Sequence, residues 1–196
     1  LNLYDKNLKR MKQVYSCPAW LNLDRKEGYN FFKRTVDSFI YRVYKNKLYI
    51  VPGGSDTFEI LVFDREGKKV KDIGMDYGQI KLEKDFIKRV RRYYRIKFKR
   101  GLEVNLKMTK YPEYFPAIRD IAVADDKIYV TTFKKENGKT EMIVLDFNGT
   151  VSKKAWLPIR EKNAEFLAPY VVSNGKLYQL VENEADENWE LHVTGI

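Results

Sequence analysis

Three stretches of the chain alternate apolar and polar residues in nearly the same phrase: NKLYIV from Asn46, DKIYV from Asp126 and NGKLYQL from Asn174. Aligned on Tyr49, Tyr129 and Tyr178, each has a Lys-(Leu/Ile) step before the tyrosine and a short polar turn before that step. An apolar stretch precedes each turn: Phe39-Ile40-Tyr41, Ile121-Ala122-Val123 and Tyr170-Val171-Val172. A period of two broken by turn residues predicts strand, tight turn, strand.

Each second strand runs into a polar loop (PGGSDT, KKENGKT or ENEADEN) and a third strand at 59–64, 141–146 or 190–195. Two of the third strands close on Asp64-Arg65-Glu66-Gly67 and Asp146-Phe147-Asn148-Gly149. There the aspartate accepts backbone N–H groups and the glycine takes a positive φ. Fourth strands follow at 68–74 and 151–157. The predicted unit is therefore a four-stranded meander.

Tyr129 and Tyr178 are 49 residues apart, and Tyr49 and Tyr129 are 80 apart, long by about one insertion. Four-stranded units at this spacing are the pattern of a β-propeller, in which sheets stacked around an axis cover one another. An antiparallel sandwich is the alternative. LNLYD (1–5) reads as a third strand and LKRMKQVYS (8–16) as a fourth, with whole blades at 37–74 and 115–157 and three strands of another after them. In LYDKNL, Leu8 stands where the turn glycine would be, and Asn7 is expected to take the positive φ. About three blades do not close a ring. The expectation is a single propeller domain over 1–196, either the C-terminal part of a larger ring or one of two copies that combine into one.

The extra length lies at 76–110. From Gln79 to Tyr94 the apolar spacing is helical, through Leu82, Phe86, Val90 and Tyr93. The period then falls to two, at Ile96, Phe98, Leu102, Val104, Leu106 and Met108, with Arg100-Gly101 between the runs. A helix followed by a hairpin is predicted.

Charge sharpens this picture. The 196 residues carry a formal net charge of +10. Residues 81–100 hold ten Lys/Arg and two acids, a local +8, so the rest is near neutral. Lys88, Arg89, Arg91, Arg92 and Arg95, interleaved with Tyr93 and Tyr94, form a candidate polyanion face in which guanidinium groups grip phosphates and rings stack bases. A solvated helix face is the plainer reading.

Other chemistry is sparse. Cys17 is the only cysteine, so no intrachain disulfide forms; a small buried or half-buried residue is the expectation for it. His192 is the only histidine and alternates away from Leu191 and Val193, far from any nucleophile at motif spacing. Asp125-Asp126 reads as a turn, Gly53-Gly54 as a hairpin loop, and Glu182, Glu184, Asp186 and Glu187 as a solvated hairpin end lacking the glycine of a calcium loop. No catalytic residue, metal ligand or cofactor is expected. No apolar run is long enough to span a bilayer.

YPEYFPAIRDIAVADDKIYV (111–130), with its Phe115-Pro116-Ala117-Ile118 lead-in, and IVLDFNGTVSKKAWLP (143–158), with its Asp-x-x-Gly turn, resemble the blades of six-bladed β-propellers of the NHL-repeat-like, Bacteroides-type group. The resemblance covers about 36–75 and 111–196. It implies a six-bladed ring, an extracytoplasmic location and a binding role toward a protein or carbohydrate. The expected function is a non-enzymatic binding or scaffold propeller. The alternatives are a polyanion or nucleic-acid binder acting through 81–100, and a propeller hydrolase or lyase without a recognisable motif.

Overall fold

The computed structural model describes residues 1–16, 39–53, 57–97 (backbone only at 94–97), 111–164, 166–183 and 188–196. Cys17, the hairpin expected after the helix, Gly54 and the acidic residues 184–187 lie outside the described residues. What is described is mostly β, with one helix.

A two-stranded hairpin comes first, β1 (Asn2–Tyr4) and β2 (Arg10–Gln13). A first four-stranded antiparallel sheet follows, β3 (Ile40–Tyr44), β4 (Lys47–Val51), β5 (Phe58–Phe63) and β6 (Lys69–Met75). Helix α1 (Lys84–Lys97) precedes the second, β7 (Asp120–Ala124), β8 (Lys127–Glu136), β9 (Lys139–Leu145) and β10 (Val151–Leu157). The C-terminal sheet has three strands, β11 (Tyr170–Ser173), β12 (Lys176–Asn183) and β13 (Asn188–Gly195). Every sheet is a meander of neighbours in sequence, as the repeated phrase predicts. Asp125 and Asp126 are turn residues, as expected.

Two turns recur. Between first and second strands, Lys45-Asn46, Asp125-Asp126 and Asn174-Gly175 all have positive φ at both central residues. This mirror-image type I turn matches the twist of the strands it joins, and Asn, Asp and Gly tolerate it best. Between third and fourth strands, Asp64 Oδ1 accepts Lys68 N at 2.8 Å, and Asp146 Oδ1 accepts Asn148 N and Thr150 N, each at 2.8 Å. The N-terminal hairpin repeats this turn, with Asp5 Oδ1 accepting Asn7 N and Lys9 N at 2.9 Å each.

A bulge follows the turn in all three copies: the register shifts at Leu3/Tyr4, at Val62/Phe63 and at Val151/Lys153. The expectation for Asn7 is corrected here. Leu8 takes the left-handed conformation, with φ of 61°. Leu8 N donates to Asp5 O at 3.0 Å, as Gly67 N does to Asp64 O, so the hydrogen bonds place the strained residue at the fourth turn position whatever its type.

The sheets stack through repeated contacts. A Cβ on Gly67 would lie 2.7 Å from Val14 Cγ2, and a Cβ on Gly149 would lie 2.8 Å from Ile73 Cγ2. Val14 and Ile73 occupy the same place in their copies, so each turn glycine is needed for close approach to the preceding unit. Lys71 Nζ caps the later turn at Phe147 O, 2.9 Å away.

Between the first and second four-stranded sheets, Tyr49, Ile60, Val62 and Ile73 pack on Ile121, Ile128, Val130, Ile143 and Leu145. Between the second and the C-terminal sheet, Tyr129, Met142 and Val144 pack on Val172 and Leu177. The two four-stranded sheets thus each bury their tyrosine-bearing face under the opposite face of the next sheet. Strand β7 lies against both β3 and β11, so the first strands of the three sheets run side by side.

The helix begins at Lys84, five residues later than its spacing predicts. Ile80 O accepts Phe115 N and Leu82 N donates to Glu113 O, both at 2.8 Å, which holds 80–82 extended against 113–115. Extended pairing with a distant segment overrides the local helical period. Leu82, Phe86 and Val90 are buried with Phe115 and Ala164, and the Phe115 and Phe133 rings stack at 4.4 Å.

Candidate functional site

Meander topology sorts the connections between two ends of the stack. Among the described residues, one end holds the tight turns 45–46, 64–67, 125–126, 146–149 and 174–175. The other receives the end of β4, the start of β5, the segment from 76 through α1, the lead-in 111–119 and the connection that leaves β10. Long connections carried on a rigid framework are where binding residues concentrate. The buried charges lie at this end.

Glu161, in the 158–169 connection, gathers three cations. Its Oε1 accepts Arg119 Nη1 at 2.6 Å and Lys135 Nζ at 2.8 Å, and its Oε2 accepts Arg89 Nη1 at 3.2 Å. The Arg119 side chain is 2% exposed, lies 5.0 Å from the centre of the Phe133 ring and also donates to Ala164 O at 3.4 Å. Burial alone would raise the Glu161 carboxyl; Arg119 and Lys135 outweigh it and hold it below the usual glutamate range. This clasp ties α1, the lead-in to β7, the end of β8 and the 158–169 connection together, with positive charge in excess.

The next residue, Asp120, faces the neighbouring first strands. Its Oδ1 accepts Arg42 Nη2 of β3 at 2.7 Å and Ile121 N at 2.8 Å. Burial raises its carboxyl above the usual aspartate range, against the pull of Arg42. The buried Tyr170 phenol of β11 is pushed up by burial and by the Asp120 charge. A third group is the buried Glu141, whose Oε2 accepts Tyr77 Oη at 2.5 Å and Thr132 Oγ1 at 2.9 Å. Burial, then this bond, raises the Tyr77 phenol. All three groups pair or satisfy their charges. None sets a base against a nucleophile.

The residues singled out for a polyanion face divide. Lys88 pairs with Asp85 at 2.9 Å on the exposed side of α1. Arg89 turns inward to Glu161, with its guanidinium 5.7 Å from the Phe86 ring centre. Arg91 lies 5.3 Å from the Tyr111 ring centre, Arg92 is exposed and Tyr93 is half-buried. The side chains of Tyr94 and Arg95 lie outside the described residues. His192 pairs with Glu190 at 2.8 Å in β13. Among the described residues no group of three or more His, Cys, Asp or Glu converges as a metal site, and no helix is long and apolar enough to cross a membrane.

Sequence reasoning passed over Arg119, Asp120, Glu141 and Glu161. For the first two a signal was present. Two charges stand between Ile118 and Ile121 in a strand lead-in, and a charge inside an apolar run needs a buried partner. Which partner, 42 residues away for Arg119 and 78 for Asp120, no local pattern says. No protein-family model matches the chain, and no curated protein matches it.

Proposed function

We propose that the chain is a non-enzymatic binding module of β-propeller type, with the loop-bearing end of its stacked sheets as the recognition face. The observation that carries this reading is the segregation of connections among the described residues: α1, the connection after β10 and the buried ion pairs are at one end, and the described connections at the other end are tight turns. The repeated inter-sheet contacts at Gly67 and Gly149 and the side-by-side first strands support the propeller reading. A ring of six and an extracytoplasmic location rest on the resemblance. The test is a glycan and protein-ligand array probed with the chain and with charge reversals at each end. Lys134→Glu with Arg92→Glu at the loop end is expected to abolish capture, and Lys47→Glu with Lys127→Glu at the turn end to leave it intact. The reverse pattern overturns the assignment of the face.

The exposed cations of α1 favour a second reading, an acidic ligand. Among described side chains, Lys84, Lys88, Arg89, Arg91 and Arg92 stand against Asp85 alone on this helix. Retention on heparin is then expected to fall in Lys88→Ala, Arg91→Ala and Arg92→Ala combined, with the log–log salt slope lowered by about one for each anionic group that is no longer neutralised. Arg89 is kept, because it belongs to the clasp. Retention unchanged in the triple variant removes this reading and leaves the first standing.

A further inference from the structure

The C-terminal sheet carries an apolar face that no described residue covers. Val171, Leu180, Trp189, Leu191 and Val193 are exposed on it. The register sets Leu180 opposite Leu191, and Tyr178 opposite both Val171 and Val193, so these side chains form one patch. Patches of this kind on folded chains mark association surfaces.

The matching faces of the other sheets show what such a face packs against. Tyr49, Ile60 and Val62 lie under the second sheet, and Tyr129, Met142 and Val144 under the C-terminal one. The fitting occupant is therefore the apolar face of another β-sheet. The open face of the N-terminal hairpin, with Asn2 opposite Gln13 and Tyr4 opposite Arg10, is too polar to match it.

A second copy of the same face does match. Along it β12 presents Lys176, Tyr178, Leu180 and Glu182, a cation at one end, apolar residues between and an acid at the other. A two-fold axis lying in the interface and perpendicular to the strands sets Lys176 against the partner subunit's Glu182, and apolar residues against apolar residues.

We propose that the chain associates with a second copy of itself through this face, as a two-fold dimer of C-terminal sheets. Three strands of up to eight residues span roughly 26 by 14 Å. That is well below the roughly 800 Å² per partner of a tight complex, so the dimer is weak and concentration-dependent. The inference does not rest on the proposed binding function.

Light scattering across a dilution series of the whole chain tests it. The expected result is a dimer that dissociates on dilution. Leu191→Lys is expected to be monomeric with an unchanged β-sheet circular dichroism spectrum. Should that variant lose the spectrum, Trp189→Lys at the rim gives the same reading. Lys176→Glu is expected to weaken the dimer at least tenfold, and Lys176→Glu with Glu182→Lys to restore it, because only a two-fold arrangement pairs those positions. A chain that stays monomeric at every concentration overturns the proposal and leaves the face to a sheet of another polypeptide. A dimer that survives Leu191→Lys, or a charge swap that fails to restore it, overturns it as well.

Discussion

Met142 of the second four-stranded sheet and Leu191 of the C-terminal sheet hold the same position. Each sits on the third strand, on the tyrosine-bearing face, two residues before the valine that pairs with that tyrosine. Met142 is 0% exposed and Leu191 64%; the valines that follow, Val144 and Val193, are 2% and 51% exposed. Both sheets have the same alternation, the same first turn and the same antiparallel register. They differ in what lies against them: the second sheet has the C-terminal sheet on its tyrosine face, and the C-terminal sheet has no described neighbour there. Burial in a stack of sheets belongs to the interface and not to the strand.

The sharpest test of this difference is a matched pair of truncations. Met142→Ala is expected to cost about 3 kcal/mol, from lost transfer energy and the cavity left in a closed interface. Leu191→Ala is expected to stay within about 0.5 kcal/mol in the monomer. Urea unfolding at low protein concentration measures both, and equal costs would break the comparison.

The 158–169 connection joins the two sheets by different chemistry. On the second-sheet side, Glu161 holds Arg119 and Lys135 by charge. On the C-terminal side, the buried Gln179 amide accepts from Arg160 N at 2.9 Å and donates to Arg160 O at 3.3 Å. Only the first should answer to acid. The folded carboxyl of Glu161 is depressed, so its stabilisation is fully present above the unfolded glutamate pKa of about 4.3 and is lost as pH falls through the folded value. Glu161→Gln, which leaves the buried guanidinium short of its counter-charge, is expected to cost about 2–3 kcal/mol at neutral pH and to remove this acid-dependent step. Hydrogen exchange between pH 3 and 6 should show α1 and the start of β7 loosening before β11–β12. Simultaneous loosening would count against the clasp.

Glycines separate the two sheets a third way. Gly149, with φ of 89° and Ile73 at 2.8 Å from its would-be Cβ, is expected to lose about 2 kcal/mol as Gly149→Ala through strain and overlap together. Gly175, with φ of 66° and open space around it, carries the strain alone, so Gly175→Ala should cost about 1 kcal/mol. The smallest expected effect is a gain. Leu8 is 82% exposed and left-handed, so Leu8→Gly relieves strain while giving up little packing and should stabilise by about 0.5 kcal/mol after the added unfolded-state entropy. A lower melting temperature in Leu8→Gly would show that the leucine side chain stabilises the hairpin by packing.

Much of the fold was legible locally. The repeated phrase located β3–β4, β7–β8 and β11–β12, the two Asp-x-x-Gly turns and the fourth strands, because period-two alternation and turn chemistry involve residues a few positions apart. LNLYD and the stretch after it read as a hairpin for the same reason. The start of α1 was misjudged because Ile80 and Leu82 pair with residues near 114, and the Asn7 assignment failed because it weighed residue type over hydrogen-bond position. The candidate site was legible only as basic charge at 81–100. The pairing of Arg119 and Arg89 with Glu161, of Arg42 with Asp120 and of Tyr77 with Glu141 joins residues 42 to 78 positions apart. By itself the sequence determined strands, turns, their order and the pattern that makes sheets repeat, since these are written in neighbouring residues. The tertiary structure alone decided which of several equal-looking apolar faces is covered, which charges are buried together and which arginine turns inward, since burial and ion pairing depend on segments that only stacking brings within a few ångströms.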